Sequence, residues 1–172
     1  MRDVINNSTP YLTDEDLASI AAYLASLPAS RAETAPAYDD HTAKALLAGT
    51  AAAPGAAVYA GNCQSCHSET GGAAPPFLPP LAGNPTVLDT DPTSLINIVL
   101  NGSAPLVVKG RPAPYRMPQY RAQLTDQQIA DGLTFIRDGW GNSAPPVSAG
   151  RVAALRNSTD PASDRVVILR MR

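Results

Sequence analysis

The residues best suited to chemistry are two cysteines and a histidine in the pentapeptide Cys63-Gln64-Ser65-Cys66-His67. Two thiols with two residues between them can form thioether bonds to the vinyl groups of one haem, and the following imidazole can then ligate the iron. A CxxC pair also occurs in redox dithiols and in half of a zinc site, and the pentapeptide alone leaves these alternatives open. The chain has no other cysteine, which excludes a four-thiolate zinc site within one chain.

The composition limits the class of protein that could use this motif. A length of 172 residues predicts one domain with a tail, and a formal charge of -2 gives no electrostatic footprint for nucleic acid. Seventeen prolines and twelve glycines predict long ordered loops, while the scarcity of β-branched runs argues against a large sheet. No stretch approaches the roughly 18 to 20 apolar residues of a membrane span. The N-terminus lacks a secretory signal, although covalent haem attachment normally follows export. We therefore expect that a signal was removed or that the chain is a piece of something longer.

Helical periodicity and capping residues predict the elements that position the motif. They are a helix over 12–28 with Thr13 as N-cap, a short helix over 39–48, a short helix from Gly55 to Asn62, a helix capped by Asp91 and ended by Asn101-Gly102, a helix with a Thr125/Gln128 capping box, and a short helix after Ser148. Loops rich in proline and glycine separate them, and the second of these loops contains Met117.

Together these features resemble the class I cytochrome c family. Gly55-x-x-x-Tyr59-x-x-x-Cys63 is similar to the N-terminal helix of that family, whose glycine lets the C-terminal helix cross closely. Phe135 falls where the family places the aromatic residue that packs at this crossing. Pro79, twelve residues after His67, resembles the proline whose carbonyl accepts the N–H of the proximal imidazole. The resemblance implies an all-α fold with loops rich in proline and glycine around one covalent haem c.

The resemblance also implies a second axial ligand. Met117-Pro118-Gln119-Tyr120 is similar to the loop that carries the axial methionine, so His67 and Met117 would be the iron ligands. Two alternatives stay open, because Met117 could pack in a loop and His41 could compete as a ligand. Further predictions concern the surroundings of the haem. Tyr59, Phe77 and Trp140 would line the pocket or fill the core, and Lys109, Arg111, Arg116 and Arg121 would form either a solvated loop or a basic patch for haem propionates or an acidic partner.

More narrowly, the chain resembles the C-terminal part of the tri-haem cytochrome c subunits of bacterial membrane-bound dehydrogenases, of the quinoprotein alcohol dehydrogenase and gluconate dehydrogenase type. The matching segments are 7–14, 79–84, 140–142 and 160–172. The resemblance implies a periplasmic electron-transfer subunit of the respiratory chain, not itself an enzyme. Its partners would be a dehydrogenase catalytic subunit and another redox protein or a quinone-reducing subunit, with membrane association, if any, through those subunits.

Two rival functions remain open. The chain could be a free soluble electron carrier, which would be active without its first and last 30 or so residues. It could also be a haem enzyme or sensor, which needs an open sixth position on the iron.

An internal repeat suggests how the chain is divided. The pattern of residues 12–24 recurs in residues 124–136, at a constant offset of 112 residues. A chain that opens on the closing helix of one unit and then adds a whole unit is what a truncated tandem array would show. We therefore predict four segments: 1–28, the C-terminal helix of a preceding cytochrome c domain; 29–54, a linker; 55–142, the haem domain; and 143–172, a docking tail.

Overall fold

The computed structural model describes residues 2–28, 36–73, 78–103, 107–108, 111–112 and 115–160. Its helices are α1 (Arg2–Asn7), α2 (Asp14–Ser26), α3 (His41–Leu47), α4 (Ala56–Asn62), α5 (Gln64–His67), α6 (Pro85–Leu88), α7 (Thr93–Asn101), α8 (Asp126–Asp138) and α9 (Ala149–Ser158). Short 3₁₀ turns lie at Thr9–Tyr11 and Gly139–Gly141. Strands β1 (Val107–Val108) and β2 (Arg111–Pro112) form a small antiparallel pair in which Val107 lies opposite Pro112. The predicted all-α fold class is confirmed, since this pair is the only sheet in the described part of the chain.

Helix capping follows the sequence closely, with one correction. Thr125 accepts a hydrogen bond from the Gln128 backbone N–H, and the Gln128 side chain accepts one from the Thr125 N–H, which completes the predicted capping box. Thr13 forms a capping box with Asp16 at the start of α2, and the Ser148 side chain caps α9 by accepting the Arg151 N–H. Helix α7 begins at Thr93, one residue later than predicted, because its first helical hydrogen bond runs from the Ile96 N–H to the Pro92 carbonyl. Asp91 Oδ1 accepts hydrogen bonds from both the backbone N–H and the hydroxyl of Thr93 and so satisfies an N–H of the first turn.

The core is organised around the crossing of α4 and α8. Gly55 lies so close to α8 that a Cβ added there would be 2.0 Å from the Asp131 carbonyl oxygen, and its φ of +86° also favours glycine. Gly132 of α8 lies against Val58 in return, where an added Cβ would be 3.2 Å from Val58 Cγ1. The close crossing predicted at Gly55 is therefore present. It brings together the side chains of Tyr59, Leu133 and Phe135 in the buried core.

Segments on both sides of this crossing pack against it. The Ala43 side chain of α3 is buried, and Thr42 Oγ1 accepts a hydrogen bond from the Trp140 backbone N–H. Helix α9 packs on α7 and α8 and inserts the fully buried Val152. Parts of the predicted linker and of the predicted tail thus belong to the packed structure, while the four-segment division itself stays a prediction.

Helix α2 differs from helices α3 to α9, because none of its side chains is buried. Its apolar residues, including Ile20, Tyr23 and Leu24, are exposed. Among the helices in the described ranges, none is long and apolar enough to cross a membrane. The end of the predicted docking tail, residues 161–172, lies outside the described residues, as do Phe77 and Lys109.

The Gly55 crossing gives a first prediction. Gly55→Ala should lower the free energy of unfolding by about 3 kcal/mol or more, because the added methyl group meets the α8 backbone and φ is positive. Gly61→Ala in the same helix is the matched control, since an added Cβ there has no atom within 4 Å. It should be neutral or stabilising by about 0.5–1 kcal/mol. Equilibrium denaturant unfolding of both variants measures the difference, and equal effects would contradict the crossing.

Candidate functional site

The CxxCH motif sits at the junction of two helices. Helix α4 delivers the chain to Cys63, whose backbone N–H donates to the Tyr59 carbonyl at 2.8 Å. The next turn is closed by the His67 N–H, which donates to the Cys63 carbonyl at 2.9 Å. The side chains differ in exposure, because Cys63 is half-buried, Cys66 is exposed and His67 is buried. Neither thiol forms a disulfide.

The electrostatics of this junction do not match a reactive dithiol. Burial, and then the neighbouring Cys66, raise the pKa of Cys63 to about 11. A redox-active CxxC pair instead depends on a cysteine whose pKa is lowered towards neutrality. No group of three or more His, Cys, Asp or Glu side chains that could hold a metal ion occurs in the described ranges. The dithiol and zinc interpretations therefore have no support in the site.

His67 is held beside the loop that contains Pro79. Burial lowers the pKa of His67, and the backbone carbonyl of Pro79 acts in the opposite direction. Nδ1 of His67 is buried and has no hydrogen-bond partner among the described residues. The predicted hydrogen bond from the imidazole to Pro79 stays a prediction.

The loop after the motif is fixed by aromatic side chains that donate to three consecutive backbone carbonyls. The Tyr59 hydroxyl donates to the Ser68 carbonyl at 2.5 Å, and Trp140 Nε1 donates to the Glu69 carbonyl at 2.8 Å. The Tyr38 hydroxyl donates to the Thr70 carbonyl at 3.3 Å. These donors come from different parts of the chain, so the main chain leaving His67 is tied to α4, to the segment before α3 and to the end of α8.

Trp140 joins that loop to the core. A Cβ added at Gly71 would be 2.7 Å from the indole Cδ2, so the main chain of the loop lies directly on the ring. The indole also packs with Tyr59 and Phe135, with ring centroids 5.3 and 6.1 Å away. The backbone of Trp140 is left-handed, with φ 57°, which is uncommon for a large residue. Its buried side chain and backbone hydrogen bonds to Thr42 and Asp39 hold it in that conformation.

Asn142 closes the other end of the same loop. Its side-chain amide donates to the Leu81 and Ile136 carbonyls at 3.2 and 2.9 Å, and its oxygen accepts the Gly83 N–H at 2.8 Å. The Gly71 carbonyl accepts the Leu81 N–H at 2.7 Å. The loop that carries Pro79 is thereby tied both to the segment after His67 and to the C-terminal end of α8.

Met117 lies on a separate loop that is anchored to the end of α7. Its backbone N–H donates to Ser103 Oγ at 3.0 Å, and its carbonyl accepts the Ser103 N–H at 3.0 Å. A Cβ added at Gly102 would be 2.7 Å from the Met117 carbonyl oxygen. Only glycine therefore allows the two segments to approach so closely, and the Met117 side chain is left half-buried.

Tyr120 brings the methionine loop to the CxxCH motif. Its backbone N–H donates to the Val99 carbonyl at 2.9 Å, and its hydroxyl donates to the Asn62 carbonyl at 2.5 Å. Asn62 immediately precedes Cys63. Burial raises the pKa of Tyr120, and the Cys63 and Cys66 thiols raise it further, so this ring lies within electrostatic range of both thiols.

The donor set fits a covalently held haem. It comprises two thiols outside any disulfide, a buried imidazole whose Nδ1 is unsatisfied, and a thioether on a loop tethered beside the thiols. Tyr59 and Trp140 are buried next to the segment that follows His67, as predicted for residues near the haem or in the core. His41 is exposed at the first position of α3, and its backbone N–H is bound to Asp39.

Sequence reasoning missed several residues that fix the loops. Tyr38, Ser103 and Asn142 act through contacts between segments distant in sequence, which periodicity does not predict. A signal existed for Asn142, because it closes the Trp140-Gly141-Asn142 segment used for the resemblance. Of the predicted basic patch, Arg116 is exposed, but the Arg121 guanidinium is directed into the protein, where it donates to Asn101 and to backbone carbonyls.

The aromatic donors give a second prediction. Tyr59→Phe should lower the free energy of unfolding by about 1–2 kcal/mol, because the part-buried Ser68 carbonyl loses a short hydrogen bond. Tyr38→Phe is the matched control, because its hydroxyl is exposed and its bond to Thr70 is longer. The control should change the free energy by no more than about 0.5 kcal/mol. Equal free energies of unfolding for the two variants would contradict a stabilising role for the hydrogen bond to Ser68.

Comparisons with known proteins agree with this geometry. A cytochrome c family model matches residues 52–140. The chain is 44% identical over 166 residues to the alcohol dehydrogenase (quinone) cytochrome c subunit of Gluconacetobacter polyoxogenes, with 95% of this chain and 36% of that protein covered. It is 43% identical over 159 residues to the gluconate 2-dehydrogenase cytochrome c subunit of Pantoea cypripedii, with 91% and 36% covered.

A smaller relative matches over most of its own length. The chain is 34% identical over 122 residues to cytochrome c-552 of Thermus thermophilus, covering 64% of this chain and 81% of that protein. By contrast, the chain spans about a third of the length of the two dehydrogenase subunits. The family match covers more than half of the chain and includes the motif, the Pro79 and Met117 loops and α8. The chain belongs to the cytochrome c family, whose domain implies covalent haem c and electron transfer.

Proposed function

We propose that this chain transfers single electrons through one haem c, held by Cys63 and Cys66 and ligated by His67 and Met117. When bound, the haem supplies an iron that alternates between two oxidation states at little structural change. The chain's own residues would bind it, orient it and limit access to it. We propose a carrier of electrons rather than an enzyme, because the similar dehydrogenase proteins are named as cytochrome c subunits.

Each proposed residue has a distinct role. The Cys63 and Cys66 sulfurs would form the thioether bonds, which keep the cofactor from dissociating. The His67 imidazole would donate an electron pair to the iron, and a hydrogen bond from its other nitrogen to Pro79 would fix the tautomer and raise its basicity. The Met117 thioether would fill the sixth position and raise the reduction potential. With both axial positions filled, oxygen or peroxide would find no vacant ligand site.

The hydrogen bond between Tyr120 and Asn62 is the observation that supports this proposal most strongly beyond the motif itself. The Tyr120 hydroxyl donates to the carbonyl of Asn62, the residue before Cys63, and Tyr120 lies three residues after Met117. This contact supports assigning the CxxCH motif and the methionine to one site, although His67 and Met117 are 50 positions apart. A shared site is what bis-axial ligation of a single haem requires.

The similar dehydrogenase subunits suggest the physiological setting. We propose that the chain serves as, or within, the cytochrome c subunit of a periplasmic dehydrogenase complex. It would take electrons from the catalytic subunit and pass them to another redox protein, to a quinone-reducing subunit or towards an oxidase of the respiratory chain. Support comes from relatives 43–44% identical that are named as subunits of quinone-linked alcohol dehydrogenase and gluconate 2-dehydrogenase.

A second candidate is a free electron carrier. The match to cytochrome c-552 favours the free-carrier candidate, because the matched residues of this chain cover 81% of that protein. The two candidates differ in stable association. Co-purification with a dehydrogenase catalytic subunit supports the first, whereas recovery as a monomer that reacts with several redox partners supports the second.

The proposed ligation gives a third prediction. Met117→Ala should abolish the sulfur-to-iron charge-transfer band of the oxidised protein, allow the reduced protein to bind carbon monoxide and lower the reduction potential, because the thioether ligand is lost. Absorption spectroscopy and a redox titration measure these changes. Pro118→Ala, next to it on the exposed part of the loop, is the control and should retain the band. A wild-type protein that lacks the band and binds carbon monoxide readily would contradict the proposal and favour an open-site enzyme or sensor.

A further inference from the structure

Helix α9 lies beyond the residues matched by the family model but is packed into the domain. Val152 is fully buried, and Leu155 packs against the core. The C-terminal half of this helix faces the turn that connects the methionine loop to α8. Arg156 and Arg121 make the polar contacts between them.

Arg156 binds the turn from the α9 side. Its Nε donates to Asp126 Oδ1 at 2.7 Å, and its terminal nitrogens donate to the Leu124 carbonyl, at 2.9 Å, and to the Arg121 carbonyl. One guanidinium thus binds the first residue of α8 and two carbonyls among the five residues before it. The Arg156 and Asp126 side chains are only 21% and 32% exposed, so their ion pair is partly shielded from water.

Arg121, which lies in the turn, makes the reciprocal contact with α9. Its guanidinium donates to the Arg156 carbonyl at 2.8 Å, to Thr159 Oγ1 at 2.8 Å and to Asn101 Oδ1 at 2.8 Å. Each arginine therefore binds the main-chain carbonyl of the other. Arg121 in addition joins the C-terminal ends of α7 and α9, because Asn101 is the last residue of α7 and Thr159 follows α9.

The guanidinium charges of Arg121 and Arg156 repel each other, and the carboxylates of Asp160 and Asp126 offset this repulsion. Burial lowers the pKa of Arg121, Asp160 raises it, and Arg156 lowers it. Asp126 binds Arg156 directly. Since a guanidinium stays charged, the arrangement consists of charge-assisted hydrogen bonds in a partly desolvated place, where such bonds are strong.

The arginine pair secures the downstream end of the segment that carries Met117. At the upstream end, Ser103 binds the Met117 backbone on both sides. In between, Tyr120 is bound to Val99 and Asn62. Arg121 follows Tyr120 directly, so loosening the turn would release the chain immediately next to the Tyr120 anchor.

We propose that Arg121 and Arg156 are positioning residues that hold Met117 at the sixth coordination position, with α9 as the rigid support. This inference rests on the proposed ligation by Met117. Neither arginine touches the haem in this account. They act by lowering the population of conformations in which the loop has moved away and an external ligand can replace the thioether.

The test compares Arg121→Met and Arg156→Met with Arg151→Met as the matched control. Arg151 lies on the same helix and donates to Asp91 and Thr93 near the start of α7, but it makes no contact with the turn. Imidazole is titrated into the oxidised holoprotein while the charge-transfer band is followed. Thr159→Val, which removes one acceptor of Arg121, is a milder variant that keeps the test valid if a methionine variant folds poorly.

We expect imidazole to displace the thioether at about tenfold lower concentration in Arg121→Met and Arg156→Met, with a smaller shift of about two- to threefold in Thr159→Val. Arg151→Met should stay within about twofold of wild type. The Ser103 and Tyr120 amides should also exchange hydrogen faster in the first two variants than in the control. Arginine variants that respond to imidazole as the control does would overturn the inference and leave Met117 ligation intact. Absence of the band in the wild type itself would overturn both.

Discussion

The structure depends on the close approach of Gly55 to the backbone of α8. At a Cβ distance of 2.0 Å from the Asp131 carbonyl, no side chain other than hydrogen fits. This contact fixes the direction of α4, which leads directly into Cys63. It equally fixes α8, whose C-terminal end supplies Trp140 and Asn142. The motif and the residues that hold the loops after it therefore share one rigid frame.

The two sides of the candidate haem site are secured by different physical means. On the His67 side, aromatic rings from separate elements donate to the Ser68, Glu69 and Thr70 carbonyls, and Trp140 packs flat against Gly71. On the Met117 side, the contacts are mainly polar and charged, through Ser103, Tyr120 and the arginine pair. Rigid support on both sides suits a one-electron carrier, because ligands held by packed and hydrogen-bonded neighbours stay in place when the charge of the site changes.

How much the sequence could predict is clearest from α2 and α8. The capping threonine and the apolar spacing are alike in the two helices, and both helices form as predicted. Only α8 is buried: Gly132 lies against α4 in the crossing, while α2, which has Ile20 at the corresponding position, exposes its apolar side chains. Periodicity predicts that a face is apolar, but the identity of what covers that face is decided by tertiary contacts.

The same limit applies within the site. Local signals predicted the CxxCH junction and the caps at Thr125 and Ser148, since each depends on neighbours in sequence or on a short motif. The close approach at Gly55 to a helix distant in sequence was expected from the resemblance to the cytochrome c family. Helix α7 begins one residue later than predicted because its first helical hydrogen bond has the Pro92 carbonyl as acceptor. Arg121 was grouped with nearby basic residues, but its partners are Asn101, Arg156 and Thr159. These residues come together only when α7 and α9 pack against each other. A contact between segments so far apart in sequence cannot be predicted from local patterns.

The most direct test of the account is a proton nuclear magnetic resonance spectrum of the reduced holoprotein. A methionine methyl group bound to haem iron lies over the porphyrin ring, whose ring current shifts it far upfield. The account predicts one such three-proton resonance per polypeptide, assigned to Met117 by its absence in Met117→Ala. A spectrum without it, or with the resonance retained in that variant, would show that Met117 is not the ligand.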